Sequence, residues 1–473
     1  MNVNPHYSSI HNDSDPRAHA IPRAPHRDQE KASKELAREL ERLCASSHIS
    51  LSRLQSKFTS IIPPEVARRS NFFHKACANR HVTPDIIKFL LNRFPDKVRQ
   101  SGDRGGIPIR HLCCNSKLDE ETSLEILRLL IAAYPDSVRS PQCPLHAAAK
   151  NMSLPFCKIL IDANKDSVFM RDFLGYLPIH EACLGGNLDT LMYLSSLYPE
   201  SISAPNNVGR YLIHLAALWG RSKKVETLKF ILKHDPEGAS RDASGELPLF
   251  LACCPRDENL EAVKLLFDAY PEAIDSTIRG EALVKKVVRS WGEKSKYGSF
   301  LQTQLAYDRL SRDYDAMTTQ EPNGWLPLHR ALHDNASLGA VKLLARGNHA
   351  ALQVADHQGS LPLHIACKAG SVDVIRYLTE IDGSASLYIA DGRKNYPLHI
   401  AAREGNCEAV LYLLERQLFA VSERNVDSKT PFHLLCESKS PDDIDDERRS
   451  AVYIDCIWQL LLTYPDVLLD CHC

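Results

Sequence analysis

Hydrophobic and polar positions along this chain follow one pattern that returns every 34 to 36 residues. In its clearest form a proline is followed by Leu or Ile, a histidine, one variable residue and an alanine. Five copies begin at Pro144, Pro178, Pro327, Pro362 and Pro397. A fixed period of this length is typical of a helical solenoid rather than of a globular enzyme.

Residues 172–200 show what one repeat predicts. Gly175 supplies the positive φ of a turn, and Pro178 suits the first turn of a helix because its φ is fixed. An apolar stripe with i, i+3, i+4 spacing follows. Its members are Ile179, Ala182 and Cys183. A second striped helix is predicted over residues 188–194, so each repeat contains two antiparallel helices and a projecting turn.

In five repeats the second helix is followed by an aromatic residue, proline and an acidic residue, as in Tyr198-Pro199-Glu200. Proline breaks the helix, and the ring can pack on the next repeat. A short extended segment is expected to lead from there to the next turn. Neither helix can bury its stripe alone, so the repeats must stack.

These residues closely resemble the ankyrin repeat, whose pattern Asp-x-x-Gly-x-Thr-Pro-Leu-His-x-Ala is met well at residues 356–366. The resemblance covers roughly residues 70–473 and implies an all-α helical solenoid of stacked helix-turn-helix repeats with projecting β-turn or hairpin loops. Only the last repeat keeps the threonine, as Thr430, and the residues that replace it include Leu177, Leu247, Leu326, Leu361, Ile107 and Tyr396. Losing that hydroxyl cap should cost about 1 kcal/mol per helix unless another group replaces it.

Eleven repeats can be placed by the residue at the histidine position. These residues are His74, Arg110, His146, His180, His214, Phe250, Lys285, His329, His364, His399 and His433. The predicted organisation is a disordered segment over residues 1–28, a helical cap over 29–69, about six repeats over 70–277, a degenerate repeat with insertions over 278–320, and about four repeats with a C-terminal cap over 321–473. Within the first cap, residues 34–44 read as a helix that covers the open end of the stack.

Composition is that of an ordinary intracellular protein. The formal net charge is −2, so no global field favours nucleic acid or an anionic membrane. No run of 18 apolar residues predicts a membrane span, and the amino terminus lacks the features of a secretory signal. Many of the 15 cysteines occupy one motif slot as small buried hydrophobes, which indicates a reducing compartment, cytoplasmic or nuclear.

Catalytic and metal chemistry have little support. The motif histidines are one repeat apart, about 10 Å, whereas zinc ligands lie about 2.3 Å or less from the metal. We expect these histidines to hydrogen-bond the adjacent turn and to tie neighbouring repeats together. The compact cluster Cys471-His472-Cys473 cannot close a tetrahedral site alone. Phosphate-binding loops and nucleophile motifs are absent, so the sequence predicts no enzyme, cofactor or metal.

The resemblance implies that partners contact the turn tips and the adjoining face of the first helices. Carried onto this chain, it gives an apolar and aromatic set and a more polar set. The first set is Phe173, Leu174, Tyr176, Leu184, Arg210 and Trp219, and the second is Trp325, His357 and Arg393. Large aromatic residues and arginine dominate interface energies. The alternative is that the rings only pack against neighbouring turns.

The repeat around Lys285 departs most from the pattern, since the next motif follows after 44 residues. A possible acidic-ligand site there consists of Lys285, Lys286, Arg289, Lys294 and Lys296. It could bind an acidic peptide or a phosphorylated tail. A decayed repeat with a solvated face, or a hinge, are the alternatives. In the last repeat an acidic insertion over residues 437–447 is expected to form part of a polar cover over the terminal core.

The leading hypothesis is a non-catalytic scaffold or adaptor that binds partner proteins on the concave face of the repeat array. An alternative is the substrate-recognition subunit of an enzyme assembly such as a ubiquitin ligase. Partner proteins are expected under both, without nucleic acid or membrane insertion, and we expect a monomer.

Overall fold

The computed structural model describes residues 25–57, 70–102, 105–140, 143–219, 223–243, 245–253, 259–278, 281–292, 295–438 and 447–468. In these residues helices follow one another in eleven consecutive pairs, which confirms the expected all-α repeat architecture. The chain divides into two compact units, residues 1–173 with 189–198, and residues 174–188 with 199–473. Cys471-His472-Cys473, Lys294 and most of the acidic insertion lie outside the described residues.

The first compact unit begins with two helices. Three complete pairs come next, and most of one further helix completes the unit. The helices are α1 Pro25–Ala45, α2 Leu51–Lys57, α3 Phe72–Cys77, α4 Pro84–Arg93, α5 Pro108–Cys113, α6 Glu120–Ala133, α7 Pro144–Asn151, α8 Leu154–Ala163 and, except for its first residue, α10 Leu188–Leu197. First helices pack on first helices (α3, α5, α7), and second helices pack on second helices (α4, α6, α8).

The second compact unit begins with α9, the first helix of the fourth pair, and contains the remaining seven pairs. Its helices are α9 Pro178–Gly185, α11 Leu212–Trp219, α12 Lys224–His234, α13 Pro248–Ala252, α14 Leu260–Ala269, α15 Leu283–Trp291, α16 Lys296–Ser311, α17 Tyr314–Thr318, α18 Pro327–His333, α19 Leu338–Gly347, α20 Pro362–Ala369, α21 Val372–Ile381, α22 Pro397–Arg403, α23 Cys407–Leu414, α24 Pro431–Ser438 and α25 Glu447–Thr463. Two short strands, β1 Thr277–Ile278 and β2 Glu281–Ala282, pair antiparallel.

The N-terminal helix α1 packs on α3, the first helix of the first pair. It buries Leu40 and Cys44, and Glu41 accepts hydrogen bonds from the Asn71 backbone at 2.8 Å and the Lys75 ammonium at 2.6 Å. The helix begins at Pro25, inside the segment predicted to be disordered, because proline fits the first helical position without a lost hydrogen bond. Residues 1–24 lie outside the described residues.

The degenerate repeat changes how second helices pack in the second compact unit. Its extra residues form the long helix α16 and the short helix α17. Both α14 and α16 pack on α19, so the sixth and eighth pairs touch directly. The Gly339 backbone N–H donates to the Asp268 carboxylate at 2.6 Å across this contact, and burial raises the pKa of Asp268 to about 6.

The segment after the second helix differs from the sequence expectation in ten of the described pairs, the exception being the seventh, where the short helix α17 follows. It is a 3₁₀ helix of four or five residues, such as Pro135–Arg139, where an extended segment was predicted. The aromatic ring at the helix end packs on its own repeat at Phe94, which lies 5.1 Å from Phe72, and on the preceding repeat at Tyr134 and Tyr198. The Tyr198 ring lies 4.9 Å from Phe169, and the Arg99 guanidinium lies 5.5 Å from the Tyr134 ring centre. Proline favours this tight turn because its φ already suits a helix, which shortens the path to the next turn.

The motif histidine links two repeats, as predicted. The Leu177 backbone N–H donates to His180 Nδ1 at 2.9 Å, so Nε2 carries the proton and donates to the Ala204 carbonyl at 3.0 Å. The same pair of bonds recurs at His329, His364 and His399. The imidazole therefore satisfies the N–H of the residue that replaces threonine. In the last repeat Thr430 Oγ1 lies 2.7 Å from His433 Nδ1.

We expect the free energy of unfolding to fall in mild acid. Burial lowers the pKa of His74, His214 and His399 to about 4, from an ordinary value of 6.5. Between these pH values the histidines bind protons in the unfolded chain but stay neutral in the folded chain. Their effect is to lower the free energy of unfolding as the pH drops from 6.5 towards 4, and they have no such effect above 6.5. Each of these imidazoles lowers the free energy of unfolding by up to about 3 kcal/mol once the pH has reached its folded-state pKa.

Urea denaturation followed by circular dichroism at about pH 7.5 and about pH 5 checks this expectation. The variant His399→Gln should lose part of the pH dependence, because glutamine does not titrate. A midpoint that is the same at both pH values would contradict it.

Candidate functional site

A carboxylate or amide organises several turn tips in the second compact unit. Asp356 Oδ1 accepts the backbone N–H groups of Gln358 and Ser360, both at 2.8 Å. The same arrangement is built around Asn206, Asp391 and Asn425. These local bonds satisfy backbone donors that would otherwise point into solvent, and they fix the shape of the tip.

Backbone hydrogen bonds also join one tip to the next. The His357 N–H donates to the Asn323 carbonyl at 3.1 Å, and the Gly392 N–H donates to the Gln358 carbonyl at 2.8 Å. A third bond runs from the Val426 N–H to the Arg393 carbonyl at 3.0 Å. Four consecutive tips over residues 321–429 are therefore held in register by their main chain.

Trp325 is held by contacts with its own repeat and with the next tip. Its indole N–H donates to the Asp356 carboxylate of the next tip at 3.1 Å. The Arg330 guanidinium lies 4.9 Å from the indole ring centre, and the His333 ring lies 4.8 Å away. The ring is half-buried. Both interpretations of the sequence therefore apply to it, because it packs on a neighbouring tip and is also partly exposed to solvent.

The other two residues of the polar set are displayed on the same row of tips. His357 is exposed on its tip. Arg393 is 68% exposed, with Asp427 of the next tip 3.4 Å from its guanidinium. The structure therefore places all three predicted residues of this set on one continuous row of turns.

The apolar set is divided between the compact units. Phe173, 88% exposed, belongs to the first unit. The other five lie in the second unit: Leu174, Tyr176, Leu184, Arg210 and Trp219. Leu174 and Trp219 are exposed, whereas Tyr176 and Leu184 are half-buried. Arg210 faces the Glu246 carboxylate at 3.6 Å.

The predicted acidic-ligand site is partly neutralised by its own surroundings. Arg289 forms an ion pair with Glu281 at 2.8 Å, and the Lys286 ammonium lies 4.5 Å from the Phe250 ring centre. Lys285 and Lys296 are exposed, and Lys294 lies outside the described residues. Of the described members, one is therefore paired with a carboxylate and one lies over an aromatic ring.

An asparagine ladder in the first compact unit was missed by the sequence reasoning. Asn79 Nδ2 donates to the carbonyls of Cys44 and Ser46, both at 2.8 Å, and Asn115 Nδ2 donates to those of Cys77 and Asn79, both at 3.0 Å. Each asparagine stands two residues after a motif cysteine. That spacing was a readable signal, since a buried amide must find partners.

The described residues offer little for chemistry. Among them, no group of three or more His, Cys, Asp or Glu side chains is placed to hold a metal ion. Burial raises the pKa of Cys44, Cys157 and Cys183 to about 12, so these thiols are inert at neutral pH. None of the described helices combines the length and apolar character needed to span a bilayer.

Two protein-family models match this chain. The one described as "Ankyrin repeats (3 copies)" matches residues 111–206 and 296–391, and the one described as "Ankyrin repeat" matches residues 393–420. The chain is also 25% identical over 304 residues to the ankyrin repeat domain-containing protein SAT10 of Stachybotrys chartarum. That alignment covers 62% of this chain and 15% of the relative, so the similarity is confined to a small part of the relative.

The contact between neighbouring tips gives a matched pair of glycine variants. Gly359 and Gly209 both have positive φ, at +74° and +76°. A Cβ at Gly359 would lie 2.7 Å from the Gly392 nitrogen, whereas one at Gly209 would meet nothing within 4 Å. Both alanine variants carry the cost of a left-handed backbone, about 1 kcal/mol, and Gly359→Ala should cost about 1–3 kcal/mol more through the clash.

Thermal unfolding of both variants measures the difference, and hydrogen exchange at Gly392 reports whether its bond to Gln358 is lost. Equal destabilisation by the two substitutions would mean that the tips are not in contact in solution.

Proposed function

We propose, on the premise that this chain belongs to the ankyrin repeat family, that it is a protein-interaction scaffold whose turn tips over residues 321–429 bind an extended segment of a partner protein. Ankyrin repeats are in general non-catalytic protein-interaction modules. The observation that carries the proposal is the hydrogen-bonded row of four tips.

The first support is preorganisation. Each tip is fixed by its own Asp or Asn side chain and by a backbone bond to the next tip. Ordering a loop on binding costs free energy, so loops that are ordered beforehand leave more of the contact energy as affinity. A row built in this way favours recognition by surface contacts.

The second support is the kind of side chain that the tips display. Trp325, Arg393 and His357 offer an aromatic surface and two hydrogen-bonding groups along one row. Tryptophan and arginine are the side chains that most often dominate interface energies. The Arg330 guanidinium next to Trp325 extends this surface onto the first helix α18.

The length of the row limits the partner segment. Packed helices are separated by about 10 Å, so three steps from the first tip to the fourth span about 30 Å. An extended chain advances about 3.3 Å per residue, and about nine residues would therefore follow the whole row. We infer a partner segment of this order, contacted through both main chain and side chains.

The double variant His357→Ala/Arg393→Ala tests the proposal. Both residues are exposed on the tips, so the fold should persist while partner binding weakens at least about tenfold. Quantitative mass spectrometry of proteins retained by the full chain identifies partners, and titration of each purified partner measures the loss.

The matched control is His349→Ala/Arg309→Ala, which removes one exposed histidine and one exposed arginine from other parts of the second compact unit. Binding that survives the tip variant and is lost in the control would move the site away from the tips. Equal retention by both variants would also contradict the proposal, provided circular dichroism shows that both are folded.

A further inference from the structure

Two cysteines of the last two helix pairs bring their thiols together. Cys407 is the first residue of α23, and Cys456 lies in α25, which packs directly on α23. The two side chains are hydrogen-bonded to each other. A disulfide needs its sulfurs about 2.05 Å apart, so this pair has only to close the gap of a hydrogen bond to form one.

The hydrogen bonds of the pair show which thiol holds its proton more tightly. The Cys407 S–H donates to the Gly405 carbonyl, with 3.7 Å between sulfur and oxygen. A thiol has a single proton, so the bond between the two sulfurs is donated by Cys456. This bond, together with burial, raises the pKa of Cys456. Cys456 therefore stays protonated, and the Cys407 sulfur is the acceptor.

The two sulfurs also differ in their access to solvent. Cys407 is half-buried, whereas Cys456 is fully buried on the face of α25 that carries Tyr453 and Leu460. A small oxidant in solution can therefore reach Cys407 and not Cys456. The N-terminal end of a helix, where Cys407 lies, favours the thiolate, which is the reactive form of the side chain.

We propose that Cys407 and Cys456 are a modification site, at which a hydroperoxide forms a reversible disulfide that locks α25 to α23. In the first step the Cys407 thiolate attacks one peroxide oxygen and the O–O bond breaks. The products are a sulfenic acid and hydroxide, which takes up the proton that the thiol released. In the second step the Cys456 thiol attacks the sulfenic sulfur, and its proton leaves with the hydroxyl as water. Two thiols are thereby oxidised, and one hydrogen peroxide is reduced to two water molecules.

Contact between the thiols and access for the oxidant occur together at this pair. In the first compact unit Cys44 and Cys77 lie close enough to interact, but both are fully buried. They should therefore stay reduced under conditions that oxidise Cys407. Cys436, in α24, is exposed and lies near Tyr453, as the proposed pair does, so it is the nearest competing thiol to be tested.

The disulfide would hold the last repeat in its folded position. It would close a loop from Cys407 to Cys456 that contains α24 and the fourth tip of the row, over residues 425–429. A cross-link across a long loop restricts the unfolded chain and so disfavours its opening. In the reducing compartment predicted from the sequence, thiols such as glutathione would reverse it.

Peptide mapping of the full chain after a small excess of hydrogen peroxide tests the site, with free thiols blocked by N-ethylmaleimide before unfolding. The wild type should yield a Cys407–Cys456 linked peptide that dithiothreitol removes. In Cys456→Ser the oxidation of Cys407 should stop at the sulfenic acid, so dimedone should label Cys407 at least about tenfold more than in the wild type. In Cys407→Ser the buried Cys456 should stay reduced.

Cys436→Ser is the matched control, because it removes the exposed thiol near the pair and should leave the link unchanged. The peptides of Cys44 and Cys77 should remain unlinked throughout. A folded wild type that gives no Cys407–Cys456 peptide overturns the proposal. So does a link from Cys436 to either residue in its place, or oxidation of Cys456 in Cys407→Ser.

Hydrogen exchange over α25 tests the lock. After oxidation its amides should exchange at least about tenfold more slowly in the wild type, and at an unchanged rate in Cys456→Ser. Equal exchange in the reduced and the disulfide-linked wild type would show that the link does not restrain the last repeat.

Discussion

A buried imidazole joins two stretches of backbone at His180, His329, His364 and His399. In His180 one ring nitrogen accepts from the helix start and the other donates to the carbonyl of Ala204, in the next repeat. These bonds need a neutral ring with one defined tautomer, which burial favours. The carbonyl lies just before the following turn. The ring therefore fixes the position at which that turn begins, and in this way it also fixes the spacing between tips.

The same imidazole explains how the chain does without the threonine before proline. In the last repeat both the hydroxyl and the backbone N–H of Thr430 lie against His433 Nδ1, whereas in repeats that begin with leucine the ring nitrogen accepts from the backbone N–H without a hydroxyl beside it. The leucines at this position, such as Leu177 and Leu361, are buried and add apolar contact in place of the hydroxyl. The exchange gives up one polar contact and gains burial, so the fold tolerates it throughout the array.

The sequence predicted the repeat period, the helix pairs and the linking role of the histidine, because each is encoded within one repeat or between adjacent ones. It also named Trp325, His357 and Arg393, which the structure places on one row of tips. It could not predict the contact between α14 and α19, which joins residues about seventy positions apart through Asp268 and Gly339. Nor did it predict the 3₁₀ helices, since an aromatic-Pro-acid segment suits either a tight turn or an extended one.

Two kinds of surface arise from this architecture, and they depend on the fold in different ways. Tip residues such as His357 project from backbone that is fixed by main-chain and Asp or Asn bonds, so their identity can change with little effect on stability. The second-helix position of Lys229 is different, because there the side chain faces the next helix in the row. Its identity therefore follows from what lies beside it, because a carboxylate or an aromatic ring on the next helix favours a cation at this position.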